Sequence, residues 1–390
     1  MMSTTQTGIQ HERTARRQLV SGNRLVALGA VAAGCRFFSG YPITPSSEIY
    51  QAMMEELPRP ENAGLALAAP DEISALTYCV GASMAGYKAM TATSGPGWCL
   101  MIETLQYGLM TETPVVVAVV QRLGPSTGGA TQGAQGDVLL TQFCTSGGYT
   151  IPVFAPSNAR ECYELTQAAF WWSERLRTPV VLLSDKEVGM TLESIDVASF
   201  ERRPVPERAA FSGIGRYVPY ACEQLEEPPP FAPVGGAAKV VATGSAHDRD
   251  GKLRKNSPEV IELLVHLQAK IAAHAGDMAI FEMDLQEKAE TLVMSYGTTA
   301  RAAREAVNHL RAAGRKVSFL KLMTLFPIAA EAIEQAAEGC RRVVVAEENL
   351  TGLYASAVQT LLRDREMLRV NGIGNQISPL QIIEAMERAR

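Results

Sequence analysis

The sequence predicts an α/β protein: a doubly wound domain built on a parallel sheet, followed by a smaller α/β domain. The first observation is that two apolar runs, residues 114–120 and 179–183, do not alternate with polar side chains. Such runs are typical of strands that are buried on both faces of a parallel sheet. The second is that helix-like segments alternate with the strands, which favours a doubly wound arrangement. The third is the length of 390 residues, which exceeds what one ordinary hydrophobic core accommodates.

The first domain is predicted over residues 21–199, after a polar tail over residues 1–20 that we expect to be flexible. Within this domain the pattern predicts helices over 24–35, 46–57, 72–86, 100–110 and 157–175, and strands over 37–39, 89–93, 114–120 and 179–183. In a sheet of this kind the carboxyl ends of the strands share one edge, where ligands bind.

A change of composition after residue 199 predicts a linker or extended arm over residues 200–288. This segment has four prolines between residues 226 and 236, and one predicted helix over 258–273. Regular alternation returns in the second domain, residues 289–390. There the pattern predicts strands over 291–295, 317–322 and 342–347, and helices over 300–313, 329–337 and 354–362.

Composition excludes several classes of function. The net charge is −5 and the basic residues are scattered, so the chain lacks the basic stripe of a nucleic-acid-binding protein. No apolar run approaches the roughly 20 residues that cross a bilayer, and the polar start does not resemble a secretory signal. Seven scattered cysteines without a Cys-x-x-Cys pair predict neither a disulfide framework nor a metal site within this chain. We expect a cytoplasmic protein with neither a nucleic-acid nor a membrane partner.

A turn at residues 41–48 follows the first predicted strand. Pro42 and Pro45 prevent a helix through the turn, because each lacks an N–H and restricts the residue before it. Ser46, Ser47 and Glu48 then favour a new helix, with hydroxyls that can cap its free N–H groups. Free amides and hydroxyls at such a corner suit a small anion such as a carboxylate. The alternative is a stiff connection with no ligand.

An acidic pair, Asp71 and Glu72, begins the next predicted helix. Asp71 is expected to cap that helix. Glu72 heads a run of apolar and small residues, so burial there would favour its neutral form. The alternative for Glu72 is ordinary complementarity between a first-turn acid and the helix dipole.

Two further loops follow predicted strands at residues 91–97 and 121–129. Glycines in the first loop let the backbone approach a ligand closely, and Arg122 in the second can clamp a carboxylate. Either loop alone is equally well explained as an ordinary Gly/Pro-rich connection. Because all four polar segments fall at strand ends, a shared binding site is favoured over four separate structural connections.

Four motifs together resemble those of the α subunit of 2-oxoacid:ferredoxin oxidoreductases, particularly the 2-oxoglutarate branch. The motifs are Tyr-Pro-Ile-Thr-Pro-Ser-Ser-Glu at 41–48, Asp-Glu-Ile-Ser-Ala at 71–75, Thr-Ala-Thr-Ser-Gly-Pro-Gly at 91–97 and Gln-Arg-Leu-Gly-Pro-Ser-Thr-Gly at 121–128. Weaker similarity continues at 325–327 and 347–352. The resemblance implies a pyrimidine-binding domain of thiamine-diphosphate enzymes, followed by a domain like the carboxyl-terminal domain of transketolase.

The resemblance also implies roles for individual residues. Glu72 would hydrogen-bond N1′ of the cofactor's aminopyrimidine, Thr44 would receive the substrate carboxylate, and Arg122 would supply the nearby cation. Further cofactor contacts are expected from Ser94, Gly95, Pro96 and Gly97, and further substrate contacts from Tyr41, Ser126 and Thr127. For the distal carboxylate of 2-oxoglutarate the candidates are Lys88 and Arg36, for which solvated surface charge is the alternative.

The resemblance implies a partner as well. A β subunit would bring the diphosphate-binding domain, Mg²⁺ and a [4Fe–4S] cluster, in an (αβ)2 or larger heteromer. The complex would convert 2-oxoglutarate and coenzyme A to succinyl-CoA, with electrons passed to ferredoxin, or catalyse the reverse carboxylation. Two alternatives stay open at this point: a branched-chain or aryl 2-oxoacid as substrate, and a non-catalytic scaffold subunit.

Overall fold

The computed structural model describes residues 17–388. The first half of the chain alternates strands and helices, in agreement with the predicted pattern. Its elements are β1 (Arg17–Ser21), α1 (Gly22–Ala32), β2 (Phe37–Gly40), α2 (Ser47–Glu56), β3 (Leu65–Ala68), α3 (Glu72–Met84), β4 (Ala89–Thr93), α4 (Gly95–Met110), β5 (Val115–Gln121), α5 (Val138–Gln142), β6 (Val153–Phe154), α6 (Ala159–Leu176), β7 (Pro179–Asp185), α7 (Lys186–Met190) and β8 (Leu192–Asp196).

The second half begins with an irregular segment over residues 200–257 and then returns to regular structure. Its elements are α8 (Pro258–Ala273), α9 (Ala275–Met278), β9 (Phe281–Asp284), β10 (Thr291–Tyr296), α10 (Thr299–Ala312), β11 (Val317–Leu322), β12 (Thr324–Phe326), α11 (Ala330–Ala336), β13 (Arg342–Glu347), α12 (Leu353–Val358), β14 (Glu366–Asn371) and α13 (Pro379–Arg388). No described helix is both long and apolar enough to span a membrane.

The first sheet has seven strands in the order β3-β2-β4-β5-β7-β6-β12. All neighbouring pairs are parallel except β6 and β12, which are antiparallel. Every residue of β5 and β7 is buried, as their continuous apolar runs predict. After β2 the chain continues to β3 on one side and then to β4 on the other, so the direction of winding reverses between β2 and β4. Ligands of open α/β sheets bind at such a switch point, at the carboxyl ends of the strands.

The second sheet has five strands in the order β14-β13-β10-β11-β9, with only β9 antiparallel to its neighbour. One apolar cluster is common to both sheets and includes Val119 and Val181 from the first and Met294 from the second. The predicted α/β class, with a larger and a smaller sheet, is confirmed. Two strands lie across the predicted domain limits: β9 falls within the predicted linker, and β12 joins the first sheet. The limits themselves stay a prediction.

Several predicted boundaries differ from the structure by a few residues, and two of the differences concern α4 and the amino-terminal tail. Helix α4 begins at Gly95, not at residue 100, because Pro96 occupies its first turn, where a missing N–H removes no helical bond. The residues Arg17–Ser21 were predicted mostly as tail, but they form β1, which pairs antiparallel with β8. Residues 1–16 of the predicted tail lie outside the described residues. The predicted helix over 258–273 is confirmed as α8.

A buried group of charges holds α8 against the first sheet. The Glu112 carboxylate accepts from Lys270 Nζ at 2.7 Å and contacts His266 Nε2 at 3.0 Å. Burial alone would raise the pKa of Glu112, but the charges of Lys270 and His266 hold it well below its usual range. Burial would likewise lower the pKa of His266, yet hydrogen bonds to Cys222 and Glu112 raise it to about 9. Burial lowers the pKa of Lys270, while the Glu112 charge acts in the opposite direction. Hydrogen bonds and charge thus join these three buried side chains, which anchor the irregular segment and α8.

Candidate functional site

The carboxyl edge of the first sheet brings all four predicted segments together as two contacting pairs. Arg122, after β5, reaches the turn that follows β2, and Glu72, after β3, lies against the first turn of α4. Because β2, β4 and β5 are consecutive in the sheet, the two pairs are neighbours across the switch point. The structure thus places Thr44, Glu72 and Arg122 at this edge of the sheet, which is called the crevice below.

Hydrogen bonds from α1 and from within the turn stabilise residues 41–48. Asn23 Nδ2 donates to the Pro45 carbonyl at 2.9 Å, and Ser46 Oγ donates to the Ile43 carbonyl at 2.9 Å. Ser46 stands at the position before α2 but makes no side-chain cap, so the predicted capping by this hydroxyl is wrong: a carbonyl inside the turn takes it instead. Thr44 is half-buried and Tyr41 is exposed. The turn therefore presents Thr44 on a braced backbone.

Arg122 joins the turn to the loop after β5. Its Nη1 donates to the Thr44 carbonyl at 2.6 Å and its Nη2 to the Thr127 carbonyl at 3.1 Å. Its Nε is buried and has no hydrogen-bond partner among the described residues. The Ser126 and Thr127 side chains are exposed at the same loop. Arg122 thus fixes the position of Thr44 and retains unused donors, which suits a guanidinium that also binds an anion.

Glu72 lies at the start of α3 with 8% of its surface exposed. Asp71 caps this helix, as predicted, by accepting from Ser74 N at 2.7 Å. A Cβ on Gly97 would lie 2.8 Å from Glu72 Oε1 and 2.2 Å from Thr93 Oγ1. Glycine is therefore required at this position for the Glu72 carboxylate to lie over the first turn of α4.

Several polar groups at this edge have no partner within residues 17–388. Ser94 precedes α4, where a serine commonly caps, yet its Oγ makes no cap and is fully buried without a partner. Thr91 Oγ1, on β4, is also buried and has no hydrogen-bond partner among the described residues. Buried hydroxyls are nearly always hydrogen-bonded in proteins. Unused donors beside Glu72 and a glycine-lined helix start fit a planar, nitrogen-bearing ligand such as an aminopyrimidine.

The structure separates Lys88 and Arg36 from this crevice. Lys88 precedes β4 and forms an ion pair with Glu207, while its carbonyl accepts from Arg36 N at 2.9 Å. Both residues therefore lie at the amino ends of β4 and β2, at the opposite edge of the sheet. Within this chain their expected contact with a distal carboxylate does not form, because residues before a parallel strand face away from the binding edge.

Sequence reasoning missed a group of buried polar residues, here called the clasp, that joins the two sheets: Gln135, Asp185, Thr298, Thr299 and Glu348. Gln135 Nε2 donates to Asp185 Oδ2 at 2.9 Å. Its Oε1 accepts from Thr299 Oγ1 at 3.1 Å and from Glu348 N at 2.8 Å. Asp185 Oδ2 also accepts from Thr298 N at 2.6 Å. The clasp fixes the far end of the loop that begins at Arg122.

Burial sets the protonation of the clasp acids. It raises the pKa of Asp185 to about 8, although the Thr298 N–H lowers it in part. It also raises the pKa of Glu348 to about 7. The role of Gln135 cannot be predicted from the sequence, because its partners Asp185 and Glu348 lie far from it along the chain.

Two family models match consecutive parts of the chain. Residues 28–266 match the thiamine diphosphate-binding model of the pyruvate flavodoxin/ferredoxin oxidoreductases. Residues 289–382 match core domain II of pyruvate:ferredoxin oxidoreductase. A split-gene transketolase has a similar fold, with a TM-score of 0.56 at 15% identity over 95% of this chain and 98% of that one. The fold and crevice define a subunit of a thiamine-diphosphate-binding oxidoreductase.

Relatives narrow this class. A 2-oxoglutarate synthase subunit KorA from Methanothermobacter marburgensis is 37% identical over 92% of this chain and 95% of its own. A ketoisovalerate oxidoreductase subunit VorB from the same organism is 31% identical over 94% and 96%. The chain belongs to the 2-oxoacid:ferredoxin oxidoreductases, as an α subunit, and the resemblance in the motifs is confirmed.

A solved relative is the 2-oxoglutarate:ferredoxin oxidoreductase from Magnetococcus marinus, with 2-oxoglutarate, coenzyme A and succinyl-CoA bound. It superimposes with a TM-score of 0.88 at 30% identity, over 95% of this chain. This chain spans 65% of the length of that one.

Proposed function

We propose that this chain is the α subunit of a 2-oxoglutarate:ferredoxin oxidoreductase. The complete enzyme converts 2-oxoglutarate and coenzyme A to succinyl-CoA and CO2 and passes the electrons to ferredoxin, or runs in reverse. The observation that carries the proposal is the Glu72 carboxylate over the glycine at position 97, in the crevice where Arg122 meets Thr44. The higher identity to the 2-oxoglutarate relative than to the ketoisovalerate relative supports this substrate.

Glu72 and the start of α4 hold the cofactor in this proposal. Thiamine diphosphate supplies, when bound, the electron sink that a 2-oxoacid needs in order to lose CO2. Glu72 hydrogen-bonds a pyrimidine ring nitrogen, and its burial strengthens that bond because the local dielectric is low. Ser94 supplies an unused hydroxyl, while Gly95, Pro96 and Gly97 form the close backbone surface.

Thr44 and Arg122 hold the substrate. The Arg122 guanidinium supplies positive charge and free donors for the carboxylate next to the 2-oxo group, and the Thr44 hydroxyl donates a second hydrogen bond to it. Tyr41, Ser126 and Thr127 line the exposed rim. Because Arg122 also bonds the Thr44 carbonyl, both donors hold a fixed separation, and such positioning contributes to rate.

A β subunit completes the site. Support comes from apolar side chains beside Glu72: Ile73 is 49% exposed and Leu100 is 50% exposed. They lie one turn before Thr77 and Thr104, whose hydroxyls are 3.4 Å apart, so the two form one patch across α3 and α4. Exposed apolar patches commonly mark protein interfaces. We assign the diphosphate-binding domain, Mg²⁺ and a [4Fe–4S] cluster to that partner, in an (αβ)2 or larger heteromer. A cytoplasmic location stays a prediction.

The test compares two first-turn acids. In the complex with its β subunit, Glu72→Gln should lower kcat about 100-fold or more, the range of lost acid–base assistance. Glu331→Gln is the control, because Glu331 is the first-turn acid of α11, away from the crevice. A helix-dipole role would make both variants behave alike. The readout is ferredoxin or viologen reduction, with subunit assembly checked by size-exclusion chromatography.

Substrate identity is tested separately. Wild-type complex is assayed with 2-oxoglutarate, branched-chain and aryl 2-oxoacids, and we expect the highest kcat/KM for 2-oxoglutarate. Preference for another acid would transfer the proposal to that branch of the family. Unchanged turnover in Glu72→Gln would favour the non-catalytic scaffold.

A further inference from the structure

Asp137 is an acid at the crevice that the function above does not use. It follows the loop from Arg122, and its backbone N–H donates to Gln121 Oε1 at 3.0 Å, which fixes it to the end of β5. Its carboxylate lies at the start of α4: a Cβ on Gly95 would be 3.2 and 3.3 Å from its two oxygens. The same Gly95 adjoins Ser94, whose buried hydroxyl has no partner among the described residues.

A purely structural role does not account for this side chain. Asp137 precedes α5, yet it makes no side-chain cap to that helix. Its Oδ2 is buried and lacks a hydrogen-bond partner within the described part of the chain. An unsatisfied buried oxygen destabilises the fold, so this carboxylate has hydrogen-bonding capacity that the described part of the chain does not use.

Two charged or titratable side chains interact with this carboxyl. Arg122, from β5, favours its ionised form, but burial outweighs that charge and raises the pKa of Asp137 to about 6. Cys99, from α4, is the other: burial and then the Asp137 charge raise the pKa of its thiol. Near neutral pH the carboxyl is therefore close to the point at which a nearby charge changes its protonation.

We propose that Asp137 belongs to the anion site, and that its carboxyl takes up a proton when the substrate carboxylate binds near Arg122. The inference rests on the proposed function, which places that carboxylate at Arg122. An arriving anion adds a like charge close to Asp137 and occupies the cation that favours its ionised form. Both effects disfavour the carboxylate. The neutral acid then offers an O–H donor towards the crevice.

The linkage has a definite sign. Well below its pKa of about 6, Asp137 is already neutral and binding requires no proton. Above pH 6 the free enzyme has lost the proton that the complex retains, so affinity falls as pH rises, by up to tenfold per pH unit. The fall continues until the pH reaches the raised pKa of the complex.

The first measurement is proton uptake. The thiamine-diphosphate-loaded αβ complex is titrated calorimetrically at pH 7 with glutarate, which lacks the reactive 2-oxo group, in buffers of different ionisation enthalpy. Wild type and the control Asp277→Asn, whose side chain is 77% exposed, should take up close to one proton per site. Asp137→Asn should take up none. Equal uptake in Asp137→Asn, or none in wild type, would overturn the inference.

The second measurement is KM for 2-oxoglutarate between pH 6 and 8. In wild type, KM should rise with pH. In Asp137→Asn, KM should not change with pH, and at pH 8 it should be lower than the wild-type value. Wild-type turnover with a flat KM would refute the role of Asp137 and leave the proposed function standing. A complex that neither binds glutarate nor turns over 2-oxoglutarate would refute both. If Asp137→Asn does not assemble, proton uptake by the wild-type complex and the pH dependence of its KM still test the proposal.

Discussion

The clasp and the crevice both take residues from one loop, residues 122–137, and they differ in how completely their polar atoms are hydrogen-bonded. In the clasp, Gln135 uses its side-chain oxygen and nitrogen, and its backbone N–H and carbonyl as well. In the crevice, Ser94 Oγ, Arg122 Nε and Asp137 Oδ2 have no partners among residues 17–388. Within this loop and its contacts, hydrogen-bond saturation thus separates the residues that join the two sheets from those that we propose to face a ligand.

The strongest test of this comparison removes a saturated charge. Glu112→Gln leaves Lys270 and His266 buried without their counter-ion, so we expect a loss of about 3–5 kcal/mol of stability. Thermal unfolding measures the change. Glu287→Gln, with 89% of its side chain exposed, is the control and should change stability little. A loss for Glu112→Gln no larger than the control's would show that saturation at this cluster does not stabilise the fold.

A sharper test uses two serines that are equally buried, at 0% exposure. Ser83 Oγ donates to the Pro114 carbonyl and accepts from Arg208 Nη2, whereas Ser94 Oγ has no partner. We expect Ser83→Ala to lower stability by about 1–3 kcal/mol. Ser94→Ala should leave stability unchanged or raise it, because it removes a buried hydroxyl that has no partner among the described residues.

The two serine substitutions should affect cofactor binding in the opposite order to their effects on stability. Ser94→Ala should weaken thiamine diphosphate binding to the αβ complex, and Ser83→Ala should not. Isothermal titration of the cofactor measures this. Equal effects of the two variants on both readouts would remove the distinction between saturated and ligand-facing hydroxyls.

The last test is the pH dependence of stability that the clasp contributes. The folded pKa of Asp185, about 8, exceeds the roughly 3.9 of an unfolded aspartate. Between these values the folded chain retains a proton that the unfolded chain releases, so stability falls as pH rises. The unfolding temperature of wild type should therefore decrease from pH 5 to 8, and less steeply in Asp185→Asn. An equal slope in both would mean that Asp185 does not titrate in this window.

The sequence predicts the long central strands of the first sheet but not the short strands near its two edges. β5 and β7 are continuous apolar runs because both faces are buried. β3 was missed because it is a four-residue edge strand with exposed leucines, and β6 has only two residues. Pairing with neighbours, not local composition, makes these short segments strands.

Within the site, a different limit applies. Thr44 and Arg122 each follow a recognisable strand, and Glu72 begins a recognisable helix, so their edge of the sheet could be predicted. Asp137 lies 16 residues after Gln121, at the end of an irregular loop, and only the fold brings it back to α4. The position of Lys88 away from the site could have been predicted from the sequence, because a residue that precedes a parallel strand cannot lie at the carboxyl end of that strand.

The pairing of β12 with β6 has a consequence for synthesis of the chain. The other strands of the first sheet are complete once Asp185 has been made, but β12 follows only at Thr324–Phe326. At ribosomal elongation rates this leaves β6 as an open edge for roughly 10 to 30 s. An open edge recruits other chains. We expect the nascent protein to depend on chaperone shielding during that interval, and a chain released before residue 324 to aggregate.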